Sequence, residues 1–296
     1  VRKDAVRAST GMILKTEKSV LFFIPWGPQW IIGTTDTDWT GDRADPSVSA
    51  EDVDYLLAAA NRVLARPLTR SDVIAVYAGL RPLVAASADK PTTKLSREHV
   101  VDVPVPGLAS IAGGKFTTYR IMARDVVDAV LGAPDPASGA VPASVTEQTP
   151  LLGADGLAAV AAGAGRLAED YGVSRATIEH MLNRYGSITG EVLSLVAAEP
   201  ALGRVLVEGH PYLRAEVVYA VCAEGALHIE DVLVRRTRLF IEAPDSGASA
   251  AEGVGALMGK LLGWGRRQRA AEVARYLSLV DAERAVLASD TADVPA

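Results

Sequence analysis

The densest group of chemically capable side chains in this sequence is "GGKFTTYR", residues 113–120. Two glycines let a backbone approach a ligand closely, and Thr117 and Thr118 open a helix whose free N–H groups and dipole favour negative charge. Gly114, Lys115, Phe116, Thr117 and Thr118 therefore have the form of an anion site or the edge of a cofactor site. The same residues also suit a plain strand-to-helix turn, with glycines chosen for φ and a threonine as cap. A P-loop is excluded, because it needs four residues between its glycines and a Ser or Thr directly after the lysine, where this chain has Phe116.

Two further cations could join Lys115. "YAGLRPLVA" sets Arg81 in an apolar run, where a guanidinium is expensive unless it meets a carboxylate or a ligand anion. "LSREHV" adds Arg97 and His99; alone, Arg97 reads as a surface residue. Arg81, Arg97 and Lys115 all fall at expected strand ends, and their convergence would clamp a phosphate or a carboxylate.

Other motifs read as structural. "GTTDTDWTGD" has Asp36, Asp38 and a glycine at the sixth loop position of a calcium loop, but Thr40 stands fifth and Ser47 twelfth, so no metal is expected and a polar turn at a strand end is the better reading. "GAGRLA" (163–168) follows the helical run "LAAVAA" where a dinucleotide fold requires a strand. The arginines of "DVLVRRTRLF" suit a helix C-terminus. Cys222, the single cysteine, permits no intrachain disulfide, suits a reducing compartment and reads as a buried helical thiol.

The elements that must carry these residues follow from periodicity. "SVLFFIP" (19–25) and "QWIIGTT" (29–35) form an antiparallel hairpin around "WGP". "SAEDVDYLLAAANRVLAR" (49–66) is a helix with Ser49 as N-cap and Pro67 as its stop. Runs 73–85, 99–104 and 108–112 read as strands, and a second helix follows the glycine pair. Residues 133–148 are rich in Pro, Ala and Ser without periodicity and mark a linker. Beyond it, 173–186, 188–200, 211–225, 229–240 and 269–289 carry helical apolar stripes. The expected class is α+β: residues 1–132 as a mixed or antiparallel sheet with helices, and 149–296 as an all-α domain, each with its own apolar pattern and expected to fold separately.

With 296 residues and 49% hydrophobic content the chain can build a large core. A net charge of -6 argues against a nucleic-acid partner. No apolar run reaches the roughly 18 residues of a membrane span, and "VRKDAVRAST" holds no signal core, so neither spanning nor secretion is expected; surface attachment would leave no such trace.

Together, "FFIPWGPQWIIGTTDTDWTGD", "GLRPL", "SREH", "GGKFTTYRIMA" and "EGALHIEDVLVRRTRL" resemble, in order and spacing, the bacterial flavin-dependent, respiratory-chain-linked glycerol-3-phosphate dehydrogenases. The resemblance implies the C-terminal part of an FAD and substrate domain followed by a helical domain. It implies FAD, with Gly114, Phe116, Thr117 and Thr118 near the pyrimidine edge of the flavin. It places Arg81, Arg97 and Lys115 in the substrate pocket, at the phosphate and the reacting hydroxyl, with Arg81 counted as catalytic. It further implies hydride transfer from C2 of glycerol 3-phosphate to flavin N5, electrons passed to a membrane quinone, peripheral attachment at the cytoplasmic face of the cell membrane, and a homodimer. Related oxidases pass the electrons to dioxygen instead, and the remaining alternative is a non-catalytic fragment or assembly module whose helical domain mediates assembly. Two departures stand out: no GxGxxG-bearing dinucleotide fold is present, as though this were the later half of such a protein, and "VRAST" runs directly into "GMILKTEKSV", which leads us to expect residues missing between Thr10 and Gly11.

Overall fold

The computed structural model describes residues 1–16, 20–44, 46–84, 98–132 and 141–288. These group by packing into two compact units. The first comprises Val1–Thr35, Ser47–Ala78 and Leu152–Ala296; the second comprises Asp36–Pro46 and Gly79–Leu151.

In the first unit, β1 (Met12–Lys15), β2 (Val20–Trp26) and β3 (Gln29–Gly33) form an antiparallel meander, in which Ile24 faces Ile31 and Phe22 faces Gly33. Period-two alternation sends Leu21, Phe23 and Trp30 to one face, where they are buried with Ala5, Val6, Ala60 and Leu68. Helix α1 (Ala50–Asn61) closes this layer and starts as its sequence requires, the Asp52 N–H donating to Ser49 Oγ at 3.0 Å. It ends before Pro67, because Asn61 turns the chain: its amide donates to Leu68 O at 2.8 Å and its carbonyl accepts from Leu68 N at 2.7 Å.

The helical remainder of this unit has two apolar cores. One is built on α3 (Leu157–Ala162), α4 (Ala164–Tyr171), α5 (Arg175–Tyr185) and α6 (Thr189–Ala198); the other on α7 (Arg214–Cys222), α8 (Leu239–Glu242), α9 (Ala251–Leu262) and α10 (Arg266–Ala288). "GAGRLA" lies at the α3–α4 junction and is helical, not a phosphate loop. The division by packing does not follow the expected sequence boundary: Gln29 Nε2 donates to Glu242 O at 2.9 Å and Arg70 Nη1 to Val286 O at 2.6 Å, so the sheet and α1 share a unit with the helices.

Three expectations need correction. Cys222 is exposed, because α7 buries Ala215, Glu216, Val217 and Ala220, and position 222 turns away from that face. The continuous helix expected over 229–240 is instead a π-helical turn, Asp231–Arg236, followed by α8; Thr237 N–H and Oγ1 both donate to Val232 O and close the wide turn, and Arg238 then takes a left-handed φ of 61°. Among the described residues, the run 73–84 is in no strand ladder. Pro82, with no N–H to donate, also suits it poorly to a ladder.

The second unit is smaller. β4 (His99–Val105) and β5 (Leu108–Gly113) form an antiparallel hairpin, on which α2 (Tyr119–Leu131) follows. None of its described residues is fully buried, and Val100, Val103, Val105, Leu108, Val127 and Val130 remain exposed.

Candidate active site

All the site geometry lies within the second unit. β5 delivers the chain to Gly113 and Gly114, which both take φ of 79°. A Cβ on Gly113 would stand 2.6 Å from Glu98 O, and one on Gly114 would overlap the Met122 thioether. Only glycine fits this close, left-handed passage. The chain then makes a 3-10 turn over Phe116–Thr118 and enters α2.

Lys115 sits at the lip of that turn in an extended conformation, φ -126° and ψ 149°. Its N–H donates to Thr118 Oγ1 at 3.2 Å, and the Thr118 hydroxyl donates back to Lys115 O at 3.0 Å. Thr118 therefore anchors the lysine backbone, leaving the ammonium stem exposed. Thr117 is exposed beside it, and the Phe116 ring, 91% exposed, stands clear of the surface 6.1 Å from the Tyr119 ring.

Arg81 shares a hollow with Lys115. Leu80, Arg81, Leu83, Gly114, Lys115 and Phe116 line a common hollow of about 250 Å3. Arg81 does meet a carboxylate: its Nη1 donates to Asp36 Oδ2 at 2.6 Å, with the arginine side chain 42% and the aspartate 24% exposed. Asp36 was legible only as part of a polar turn and is an addition to the site. Arg97 lies outside the described residues, so two of the three clamp cations are seen to share one cleft.

Behind the loop is a second pairing that motif reasoning did not resolve. His99, the first residue of β4, has Nε2 2.9 Å from Asp125 Oδ2, while Arg124 donates from Nε and Nη2 to Asp125 Oδ1 at 2.9 and 2.7 Å. The Arg124 guanidinium, and then His99, hold the Asp125 carboxyl below the usual carboxylate range. These contacts tie β4 to α2 directly under Gly114. Among the described residues no group of three or more His, Cys, Asp or Glu is placed to hold a metal ion.

A left-handed glycine pair leading into a helix, with two cationic residues lining one open cleft, suits an anionic ligand. Residues 3–128 match the family described as FAD dependent oxidoreductase, and residues 144–269 match the C-terminal domain of alpha-glycerophosphate oxidase. Over 283 residues the chain is 48% identical to glycerol-3-phosphate dehydrogenase 2 of Mycobacterium tuberculosis, covering 96% of this chain and 48% of that protein. To glycerol-3-phosphate dehydrogenase of Mycobacterium leprae it is 49% identical, with the same two coverages. The structure of glycerol-3-phosphate dehydrogenase from Bacillus halodurans complexed with FAD superimposes with a TM-score of 0.73 at 27% identity, over 100% of this chain and 57% of that one. The chain belongs to the FAD-dependent glycerol-3-phosphate dehydrogenase family, and it spans about half the length of these mycobacterial relatives.

Proposed function

We propose that this chain forms the substrate side of an FAD-dependent enzyme that oxidises sn-glycerol 3-phosphate to dihydroxyacetone phosphate. The observation that carries this reading is the shared cleft of Arg81 and Lys115 against the glycine loop. Two cations that face one hollow suit a dianionic phosphate, with Arg81 supplying a planar fork and Lys115 a point charge. Arg97 completes the clamp in this proposal, and Arg81 also reaches the reacting hydroxyl at C2.

The loop also fits the edge of a planar ring system. Gly114 brings bare backbone to the rim, and Phe116 and Thr117 stand open beside it, with Thr118 fixing the turn that presents them. Because "GAGRLA" is helical, the fit extends only to the ring edge; the nucleotide would be held elsewhere in a longer protein. Bound there, FAD supplies the two-electron acceptor for the hydride leaving C2. The exposed apolar side chains of the hairpin and α2 agree with a further domain covering this unit. Along the sequence, we assign 1–132 to the FAD and substrate domain, 133–148 to the linker and 149–296 to the helical domain.

For the electron acceptor we favour a membrane quinone, with a homodimeric protein attached peripherally at the cytoplasmic face. No helix of the described residues is long and apolar enough to cross a membrane. The match to an alpha-glycerophosphate oxidase domain favours a second reading, in which dioxygen is the acceptor. Assays of the flavin-loaded full-length protein separate the two: glycerol 3-phosphate is expected to drive reduction of a quinone analogue with little dioxygen uptake. Equal or faster dioxygen consumption with hydrogen peroxide release would establish the oxidase reading. Washing native membranes with high salt or alkali is expected to release the protein, and retention through both would contradict peripheral attachment.

A further inference from the structure

Arg81 presents a positioning problem that its backbone does not solve. The run that carries it has no ladder partner among the described residues; the local backbone bond that engages Arg81 is Leu83 N–H to Arg81 O at 2.9 Å, a tight turn next to Pro82. A long side chain on such a segment has several rotamers open to it, and a bidentate grip on a phosphate needs one. What holds the guanidinium is Asp36, 45 residues away in sequence, at 2.6 Å.

The contact could in principle serve either of two ends. A carboxylate inside the cleft would occupy Arg81 in place of a substrate anion and compete with it. A carboxylate outside the cleft would orient the fork and leave its remaining donors to the ligand, since a guanidinium carries five N–H groups. The placement favours the second: Arg81, Lys115 and Gly114 are among the residues that line the hollow, and Asp36 is not. Asp36 is also the less exposed partner, 24% against 42%, as befits an anchor rather than a gate. The short, charge-assisted geometry pins one nitrogen of a planar group, and planarity then sets the direction of the others.

We propose that Asp36 is a positioning residue for Arg81, holding the guanidinium toward the cleft so that it meets the phosphate of the substrate. The proposal rests on the reading of the cleft as a phosphate site. It adds to that reading a residue of the polar turn after β3, which would otherwise count as a solvated loop.

The test uses the flavin-loaded full-length protein, with the Kd of inorganic phosphate, which carries the recognised group and cannot be oxidised, measured by titration calorimetry alongside kcat and KM for glycerol 3-phosphate. Asp36→Ala is expected to raise Kd and KM by about 10- to 100-fold, the scale on which misplacement of a substrate-positioning group acts, with flavin content unchanged. Asp36→Asn, which keeps the size and a neutral acceptor, is expected to lose less, and Asp36→Glu to recover part of the affinity. The decisive readout is Asp36→Ala on an Arg81→Ala background, where a residue acting through Arg81 has nothing left to orient and the further loss is expected to be within about threefold. Tighter binding in Asp36→Ala would overturn the proposal by showing competition. An equal loss with and without Arg81 would overturn it by showing a route independent of the arginine. If Arg81→Ala alone leaves Kd unchanged, the phosphate reading of the cleft falls instead; if Arg81→Ala weakens binding and Asp36→Ala does not, only the positioning role falls.

Discussion

Lys115→Ala in the flavin-loaded full-length protein is expected to lower kcat/KM for glycerol 3-phosphate by about 2–4 kcal/mol, the range for truncating one partner of a desolvated charge pair. That is roughly 30- to 900-fold, at 1.36 kcal/mol per decade. FAD content is expected to stay near that of the unsubstituted protein. The structure explains why this substitution reads charge and little else. The lysine backbone is held by Thr118 through three bonds that involve no Lys115 side-chain atom: N–H to Oγ1, Oγ1–H to O, and Thr118 N–H to Lys115 O at 2.9 Å. Its φ of -126° and ψ of 149° suit alanine equally well. The turn therefore survives and the ammonium alone is lost. Stopped steady-state kinetics with parallel flavin stoichiometry checks the result: near-normal kcat/KM would make Lys115 a turn residue, and a matching loss of FAD would move it from substrate to cofactor.

Glu216→Ala is expected to have the largest effect on stability in the helical portion. Glu216 is 1% exposed. One oxygen accepts from Leu213 N at 2.8 Å; the other accepts from Tyr185 OH at 3.1 Å and lies 2.9 Å from His180 Nε2. Burial, and then the nearby Glu216 charge, push the Tyr185 phenol well above its ordinary value, so it stays a hydrogen-bond donor across the working pH range. His180 packs edge-on against Tyr212 at 4.6 Å, and Tyr212 OH donates to Glu242 Oε2 at 2.8 Å, which extends the network to α8. Truncation strands three polar groups in the interior. A loss of about 3–5 kcal/mol is expected, since each buried polar group left unsatisfied costs about 1–3 kcal/mol. For a unit of this size that corresponds to a fall in Tm of roughly 6–20 °C. Glu216→Gln, which keeps the volume and one acceptor, is expected to lose about 1–3 kcal/mol. Thermal melting of the pair checks both values; an alanine variant within about 1 kcal/mol of the parent would show that the network is not structural.

Local signals in the sequence were legible where a single short-range rule governs the outcome. Ser49 caps α1, and the glycine pair of residues 113 and 114 takes the left-handed backbone that its position before a helix suggested. Lys115 and Arg81 were picked out because cations in apolar or glycine-rich settings need partners, and they do share a cleft. What stayed hidden depends on contacts distant in sequence. The carboxylate that meets Arg81 comes from Asp36, and nothing in "GTTDTD" says which aspartate turns toward which arginine. Helix α9, "AEGVGALMGKLL", escaped notice because its glycines lower helix propensity; in the fold Gly255 is needed for close approach, since a Cβ there would stand 3.1 Å from Val273 and 3.2 Å from Ile229. The exposure of Cys222 follows from which face of α7 meets α9, which the composition around the cysteine does not encode.

The central claim, that this chain's cleft recognises the phosphate of glycerol 3-phosphate beside a flavin, is tested most directly by anaerobic mixing. The flavin-loaded full-length protein is combined with glycerol 3-phosphate or with glycerol, and the visible flavin absorbance is followed. Glycerol 3-phosphate is expected to bleach the flavin stoichiometrically with formation of dihydroxyacetone phosphate and glycerol almost not at all, and bleaching is expected to be slowed by at least tenfold in both Arg81→Ala and Lys115→Ala. A flavin reduced equally well by glycerol, or at an unchanged rate in those two variants, would contradict it.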